Sequence, residues 1–354
     1  MIAEEAARAA QAAGRPHTAA ARPIRARLRL TLLVFGVLAV ATCALAPLIG
    51  STSISFRRAL DTSIPFADNV DAQILLIARL PRVLAGALVG AALASAGVVF
   101  QALLRNPLAT PFTLGVSAGA SLGAMLVIIL GGSIAVGPWS PVPLASLAGA
   151  GLAAAIVYSL ANGPRRVMST TVLLLAGVTL NAFFSALILF VQYLADFSEV
   201  ARATRWLMGD LDIAGFSPLV GALPLIVVAA GIFATLPSSL NLMGVDPDSA
   251  SSRGVDVVAT QRWAFFSASL ATSAAVALAG PIGFIGIVVP HLVRLLVGVD
   301  HRIVLPASAL FGATFLVGCD LIARTLMAPI EIPVGVVTAI IGGPFFLWLL
   351  VREG

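Results

Sequence analysis

Long apolar runs alternate with short polar connections along most of this chain. Ten runs approach or reach the length of about 20 residues that an α-helix needs to cross a membrane. They lie at residues 30–49, 83–104, 112–130, 144–160, 172–194, 216–236, 264–279, 282–298, 303–320 and 334–350. Backbone polar groups in lipid must be satisfied within the chain, and strong period-2 alternation is absent. Each run is therefore predicted to be a helix, which gives an all-α integral membrane protein with about ten transmembrane helices.

The composition is that of a membrane protein. The chain is 59% hydrophobic and 10% charged, whereas a soluble domain carries about 25% charged residues. The 21 basic residues are all arginines, and the net charge is +5. These arginines are spread through the connections between apolar runs, which is typical of topology signals and not of a nucleic-acid surface. We therefore expect the lipid bilayer, and no nucleic acid, as a partner.

Charge also predicts the domain limits and the orientation. Residues 1–29 are rich in Ala and Arg and have little apolar surface to bury, so they are predicted to form a disordered or interfacial cytoplasmic tail. The run at 30–49 is longer than a signal-peptide core and is predicted to be a retained span. Residues 30–354 are then a single transmembrane domain with a cytoplasmic C-terminus. This orientation places fourteen arginines inside and seven outside, as the positive-inside rule favours.

The longest polar connection between the later spans, residues 237–263, carries helix-capping signals. Asp246 is a good N-cap, Pro247 suits the first helical position, and Gly254 suits the position after a helix end. A short helix is predicted at about residues 247–253. These signals alone fit either a surface helix that closes a loop or a coupling helix that contacts a soluble partner.

Small residues predict close helix packing. Gly86 and Gly90 are four positions apart and share one helix face. Such faces let two helices approach closely in a membrane, either within one bundle or across a dimer.

The chain carries few groups suited to catalysis or ion coupling. It has no G-x-x-x-x-G-K-[ST] phosphate loop, so any ATP would be bound by another subunit. Residues 119–123 match G-x-S-x-G, but they lie in an apolar run and not on a strand-to-helix elbow, which argues against a hydrolase. His291 has no second ligand at metal spacing, so no metal site or catalytic residue is predicted. Apart from Asp320 near a span end, the apolar runs hold no acid. An ion-coupled secondary transporter, the alternative function, usually keeps ionisable groups inside the bilayer, so this absence argues against it.

Eight segments together resemble the FecCD-type permease family, whose members import iron–siderophore complexes, haem and vitamin B12. Their order and spacing agree from about residue 75 to the C-terminus. The segments are residues 79–82, 101–109, 114–120, 174–177, 280–286, 290–294, 320–324 and 331–336. The resemblance implies a ten-helix permease with the type II ABC importer fold, which is a transport subunit and not an enzyme.

The resemblance also implies partners. These are a second copy of the chain in a homodimer, two ABC ATPase subunits that bind ATP and magnesium, and a periplasmic substrate-binding protein. The chain itself would bind no cofactor and would lie in the bacterial inner membrane. An iron–siderophore complex is the first expected ligand, followed by haem and cobalamin.

Three sets of residues acquire expected roles from the resemblance. The arginines expected to meet acidic groups of the binding protein are Arg79, Arg82 and Arg324. The residues expected to form a cytoplasmic gate are Asn106, Leu108, Thr170 and Thr171. The residues expected to couple the chain to the ATPase, within about 240–255, are Leu242, Gly244, Asp246, Ala250, Arg253 and Gly254.

Each set also has a plainer interpretation. Arg79 and Arg82 share one face of a helix start and can anchor it at the membrane surface. Asp320 lies four residues before Arg324 and can hold it by an i,i+4 pair. Asn-Pro and Ser-Thr-Thr sequences suit helix boundaries, so the expected gate residues can equally be turn and cap residues.

Overall fold

The computed structural model describes residues 24–131, 140–162 and 168–353. Within these ranges the chain folds into a bundle of helices, and every one of the ten predicted apolar runs falls on a helix. The helices are α1 (Ile24–Leu45), α2 (Phe56–Ala59), α3 (Val70–Gln73), α4 (Leu80–Leu104), α5 (Val116–Leu130), α6 (Pro141–Ala161), α7 (Thr170–Tyr193), α8 (Phe197–Leu207), α9 (Ser217–Thr235), α10 (Pro237–Val245), α11 (Pro247–Ser252), α12 (Val257–Ala279), α13 (Ile285–Val297), α14 (His301–Thr325) and α15 (Val334–Glu353).

Six helical segments of the described chain are long and apolar enough to cross a membrane. They are Ile24–Leu48, Val70–Leu104, α6, α7, α9 and α14. The second of them joins α3 to α4 through a π-helical turn, Ile74–Arg79. The four remaining predicted runs correspond to the shorter apolar helices α5, α13 and α15 and to helix α12. The predicted all-helical, multi-span fold is therefore confirmed.

Helix α4 lies at the centre of the bundle, where 19 of its 25 residues are buried. Its small residues allow backbone contact with two neighbours. A Cβ atom on Gly90 would lie 2.2 Å from the carbonyl oxygen of Gly312 in α14, and one on Gly97 would lie 2.2 Å from that of Gly286 in α13. The predicted close packing thus occurs within one chain, since van der Waals contact between small residues holds helices together in lipid.

The structure differs from the prediction near the N-terminus. Residues 1–23 of the expected tail lie outside the described residues, but residues 24–29 already belong to α1. Arg27 partly explains why residues 24–29 are ordered as a helix. Its Nη2 donates to the carbonyl oxygen of Val297 at 2.8 Å and ties the start of α1 to the end of α13. Residues 24–29 are thus helical, and the domain boundary at residue 30 stays a prediction.

Four of the described helices, α2, α3, α8 and α10, were not predicted from the sequence. Helix α8 begins with a capping box, in which Asp196 accepts from the Glu199 backbone N–H and the Glu199 side chain accepts from the Asp196 N–H. This Asp-x-x-Glu signal was available in the sequence. Helix α10 occupies part of the polar connection, where Leu240 and Met243 are buried one turn apart. The predicted helix at 247–253 is confirmed as α11, Pro247–Ser252.

Candidate functional site

Polar and charged side chains gather at the two opposite ends of α4. Its 25 residues span about 37 Å at 1.5 Å per residue. Arg82 lies in its first turn, and Arg105 follows its last residue. We call the first group the arginine end. The second group includes Asp246, whose carboxylate is close enough to Arg105 to interact with it electrostatically, and we call it the Asp246 end.

At the arginine end, a buried carboxylate lies between two guanidinium groups. Arg82 Nε donates to Asp320 Oδ1 at 2.9 Å, and Arg82 Nη1 donates to Glu331 Oε2 at 2.5 Å. Arg324 Nε lies 3.7 Å from Asp320 Oδ2, which is an ion pair of the predicted i,i+4 kind. Asp320 is only 1% exposed. These contacts join α4, α14 and the segment between α14 and α15.

The other arginine contacts hold the segment that follows α1. Arg79 Nη1 donates to the Pro47 carbonyl oxygen at 3.0 Å, and Arg79 Nη2 donates to that of Thr52. Arg324 Nη2 donates to the Ala46 carbonyl oxygen at 2.7 Å. Arg79 and Arg324 therefore hold the chain just beyond the end of α1 against the helices that follow.

The structure thus brings Arg79, Arg82 and Arg324 together, as expected, but it also buries them. Each is less than 9% exposed, and each is bonded within the chain. The most accessible member of the cluster is Glu331, whose side chain is 42% exposed. Exposed arginines at this end lie on the short helices α2 and α8 instead; they are Arg57, Arg58, Arg202 and Arg205.

Two cavities open beside the arginine cluster. The smaller, about 190 Å³, is lined by all three clustered arginines. The larger, about 630 Å³, lies against α8 and is lined by Phe197, Arg205 and Asp210 among others. Asp212 and Glu331 line both, so the two cavities form one polar mouth at this end.

At the Asp246 end, the short helices α10 and α11 lie next to the expected gate. Asp246 Oδ2 accepts from the Ser249 backbone N–H at 2.9 Å and so caps α11. This hydrogen bond lowers the pKa of the Asp246 carboxyl below its ordinary value, and Arg105 adds to the effect. A cavity of about 240 Å³ is lined by Arg105, Thr170, Met243 and neighbouring residues. Thr170 therefore shares a cavity with the expected coupling segment.

The other expected gate residues occupy helix boundaries. Asn106 Oδ1 accepts from the Leu108 backbone N–H at 2.9 Å, closing a turn after α4. Leu108 is 42% exposed. Thr170 and Thr171 open α7, and Thr171 is exposed. These contacts are the turn and cap chemistry that the sequence also allowed.

The expected coupling residues divide by exposure. Ala250 is 1% exposed and anchors α11, whereas Leu242 is half-buried. Gly244, Arg253 and Gly254 are exposed. Gly254 has φ +84°, the left-handed conformation expected after a helix end. The segment therefore has a buried anchor and an exposed polar face.

One group of polar residues at the Asp246 end was not predicted. Asn241 of α10 forms hydrogen bonds with Asp300 and His301, which begin α14. Asp300 before an apolar run is an N-cap signal that the sequence offered. Its bond with Asn241 joins residues 59 positions apart, and no local pattern reveals such a pair.

Both polar ends of the bundle lie in the part of the chain that matches a known protein family. A model of the FecCD transport family matches residues 37–352. This chain belongs to the FecCD transport family. Its permeases are transport subunits and not enzymes themselves. In the part of the chain that the structure describes, no three His, Cys, Asp or Glu side chains are grouped as metal ligands.

Several curated FecCD relatives cover most of the chain. It is 40% identical over 326 residues to the Fe(3+) dicitrate transport system permease protein FecD of Escherichia coli K12, which is 92% of this chain and 99% of the relative. It is 41% identical over 298 residues to the cobalamin import system permease protein BtuC of Halobacterium salinarum, covering 84% and 78%. It is 38% identical over 312 residues to the hemin transport system permease protein HmuU of Yersinia pestis, covering 86% and 90%.

The FecCD architecture is also that of a solved structure. This is an inward-facing conformation of a metal-chelate type ABC transporter, with a TM-score of 0.80 and 32% sequence identity. The match covers 91% of this chain and 98% of the other. The predicted permease fold is therefore confirmed by both sequence and structure.

Proposed function

We propose that this FecCD-family chain is the membrane-spanning permease subunit of an ATP-driven importer of an iron chelate. The observation that carries the proposal is the family match over residues 37–352, which includes both polar ends of the bundle. Relatives named for ferric dicitrate, hemin and cobalamin support an importer of this class. Two separate ATPase subunits bind ATP and magnesium, since the chain lacks a phosphate loop.

The proposed assembly is a homodimer in the bacterial inner membrane. Both termini and the Asp246 end face the cytoplasm, and the arginine end faces the periplasm. The distribution of fourteen arginines inside and seven outside supports this orientation. Large apolar side chains on α7 and α15 are exposed, among them Leu175, Phe190 and Leu347. Such faces need lipid or a second copy to cover them.

The proposed contact with the ATPase is made by α10 and α11. The polar face of α11 is exposed, while Ala250 anchors the helix and Gly254 ends it. A displacement of this segment would reach the cavity that Met243 shares with Thr170 and Arg105. That shared cavity supports the gate role of Thr170, and the gate role proposed for Asn106, Leu108 and Thr171 rests on the family resemblance.

The proposed docking of the binding protein uses Arg79, Arg82 and Arg324. Because these arginines are paired within the chain, an acidic group of the binding protein has to replace one of their partners. Glu331 is the partner best placed to leave, since its side chain is 42% exposed and that of Asp320 is 1% exposed. Arg82 then exchanges one carboxylate for another, which costs less than exposing an unpaired charge.

Binding-protein affinity at two salt concentrations tests this docking role. Arg82→Glu should weaken capture and its salt sensitivity, because an attractive contact becomes repulsive. Glu331→Gln should strengthen capture, since it frees one guanidinium nitrogen of Arg82 and leaves the bond to Asp320. If Arg82→Glu, Arg324→Glu and Glu331→Gln all keep the parent affinity, these residues only hold the bundle together.

Transport of three probes tests the function itself. The chain is purified with its ATPase and binding protein and reconstituted in proteoliposomes, with and without enclosed MgATP. We expect MgATP-dependent uptake of a ferric siderophore complex. Uptake of haemin or cobalamin alone would support the proposed importer but show that its ligand is not a ferric siderophore complex. Uptake driven by a proton or sodium gradient without the ATPase would refute the proposal and support the secondary transporter.

A further inference from the structure

One side-chain amide at the Asp246 end holds the start of α14. Asn241 Oδ1 accepts from the backbone N–H of His301 at 2.9 Å and from its ring Nδ1–H at 2.7 Å. Asn241 Nδ2 donates to Asp300 Oδ1 at 2.7 Å. The first N–H groups of a helix have no partner within it, so Asn241 of α10 acts as a cap for α14 from outside.

Asp300 completes this junction from within α14. Its carboxylate accepts from the Arg302 backbone N–H at 3.0 Å and from the Arg302 side chain at 2.8 Å. The hydrogen bond from the Arg302 side chain lowers the pKa of Asp300 well below its ordinary value, and the bond from Asn241 contributes too. Asp300 is therefore ionised at neutral pH, and Asn241 donates to a charged acceptor, which makes a stronger hydrogen bond than a neutral pair.

Helix α14 connects this junction to the arginine end. It runs unbroken for 25 residues, from His301 to Thr325. Midway, Gly312 lies in backbone contact with Gly90 of α4. Near its other end, Asp320 binds Arg82. Contacts at three levels therefore fix α14, which contains Pro306 in its second turn, to the junction, to α4 and to the arginine cluster.

We infer that the junction of Asn241, Asp300 and His301 transmits displacement of α10 and α11 to α14, and through α14 to the arginine cluster. Asn241 is thus a positioning residue for transport, and its amide is the joint between the ATPase-contacting segment and a membrane-spanning helix. The inference rests on the proposed function. It adds a residue and a route that neither the sequence motifs nor the family match assigns.

A reciprocal exchange tests the joint. Asn241→Asp removes the donor and places a second carboxylate against Asp300. Asp300→Asn keeps the cap, since Asn and Asp are equally good N-caps. The double variant restores the pair with its direction reversed, because the amide introduced at position 300 donates to the carboxylate introduced at position 241. Asn162→Asp makes the same amide-to-carboxylate change at the exposed C-cap of α6, outside both the joint and the ATPase-contacting segment.

Two measurements are made on the four variants and the parent. Hydrogen exchange of residues 300–305 in the purified chain reports the capping of α14. The ratio of probe imported to MgATP hydrolysed, in proteoliposomes with the ATPase and binding protein, reports transmission. The probes are a ferric siderophore complex, haemin and cobalamin, and the one that the parent imports is used.

We expect Asn241→Asp to expose residues 300–305 to exchange and to lower the transport ratio about tenfold, the effect of losing one charge-assisted hydrogen bond. Hydrolysis and assembly should stay near parent values, and the double variant should recover most of the ratio. Asn162→Asp should resemble the parent.

Faster exchange with an unchanged transport ratio would mean that Asn241 only stabilises α14, and would overturn the inference. A double variant whose transport ratio is as low as that of Asn241→Asp would do the same. A parent that imports none of the probes is a failure of the proposed function and overturns transmission with it, while the exchange experiment still decides whether the joint exists.

Discussion

The buried carboxylate of Asp320 offers the sharpest test of how the arginine end is held. Asp320→Asn keeps the shape of the side chain and removes its charge. Arg82 and Arg324 would then face each other across a neutral amide, with Arg82 still bound to Glu331 at 2.5 Å and Arg324 to the Ala46 carbonyl at 2.7 Å. Both guanidinium groups are buried, so solvent compensates the lost charge only weakly.

The expected cost follows from the burial of the pair. Removing one partner of a buried ion pair costs about 3–5 kcal/mol, because a charge is left uncompensated. Since Arg82 and Arg324 each keep one other partner, we expect the lower limit, about 3 kcal/mol. With an unfolding entropy of about 2.1 cal/mol/K per residue over 354 residues, this lowers the melting temperature by roughly 4 °C.

Glu331→Gln is the matched control. It also neutralises a carboxylate bound to Arg82, but the Glu331 side chain is 42% exposed and that of Asp320 is 1% exposed. Exposed ion pairs contribute about 1 kcal/mol or less. The control should therefore lower the melting temperature by roughly 1 °C, on the same entropy of about 2.1 cal/mol/K per residue.

The assay uses the neighbouring thiol. Cys319 is buried and free, so a thiol-reactive dye labels it only when the bundle opens. A Cys43→Ala background removes the other cysteine of the chain. The melting temperature is read from dye reaction during heating of the purified complex. If Asp320→Asn and Glu331→Gln shift it equally, Asp320 contributes no more than a surface carboxylate, and the reasoning fails.

Three further predictions concern glycines and pH. Gly90→Ala should lower the free energy of unfolding by about 1–3 kcal/mol, because its Cβ clashes with the Gly312 carbonyl oxygen, and the melting temperature should fall with it. Gly151→Ala, whose Cβ meets no atom within 4 Å, should leave the melting temperature unchanged. Gly254→Ala should reduce transport per MgATP hydrolysed, since Ala is strained at φ +84°. Gly231→Ala, in open space within α9 and outside the coupling segment, should leave that ratio unchanged. Because its folded-state pKa is depressed, Asp300 stabilises the fold above its ordinary pKa of about 4 and loses this effect as pH falls further. Melting temperatures measured from pH 7 to pH 3 should therefore fall less in Asp300→Asn than in the parent.

The sequence predicted what depends on neighbouring residues. All ten apolar runs became helices, because a run that must lie in lipid has to satisfy its own backbone. The cap at Asp246 and the left-handed Gly254 were also predicted correctly, since both are local chemistry. The ends of the apolar runs predicted the first and last residues of the helices less well. Helix α13 starts at Ile285 and not at residue 282, because Phe284 takes a positive φ of 66°.

Only the tertiary structure decided what the charged residues do. Arg79, Arg82 and Arg324 were predicted to be available to a partner, and the structure places them inside the chain, each less than 9% exposed. Arg82 is 238 positions from Asp320 and 249 from Glu331, and Asn241 is 59 from Asp300. A charge in or near the membrane must find a partner, but its identity depends on which helices pack together. That choice is made by contacts such as Gly90 against Gly312, which bring distant parts of the chain within reach.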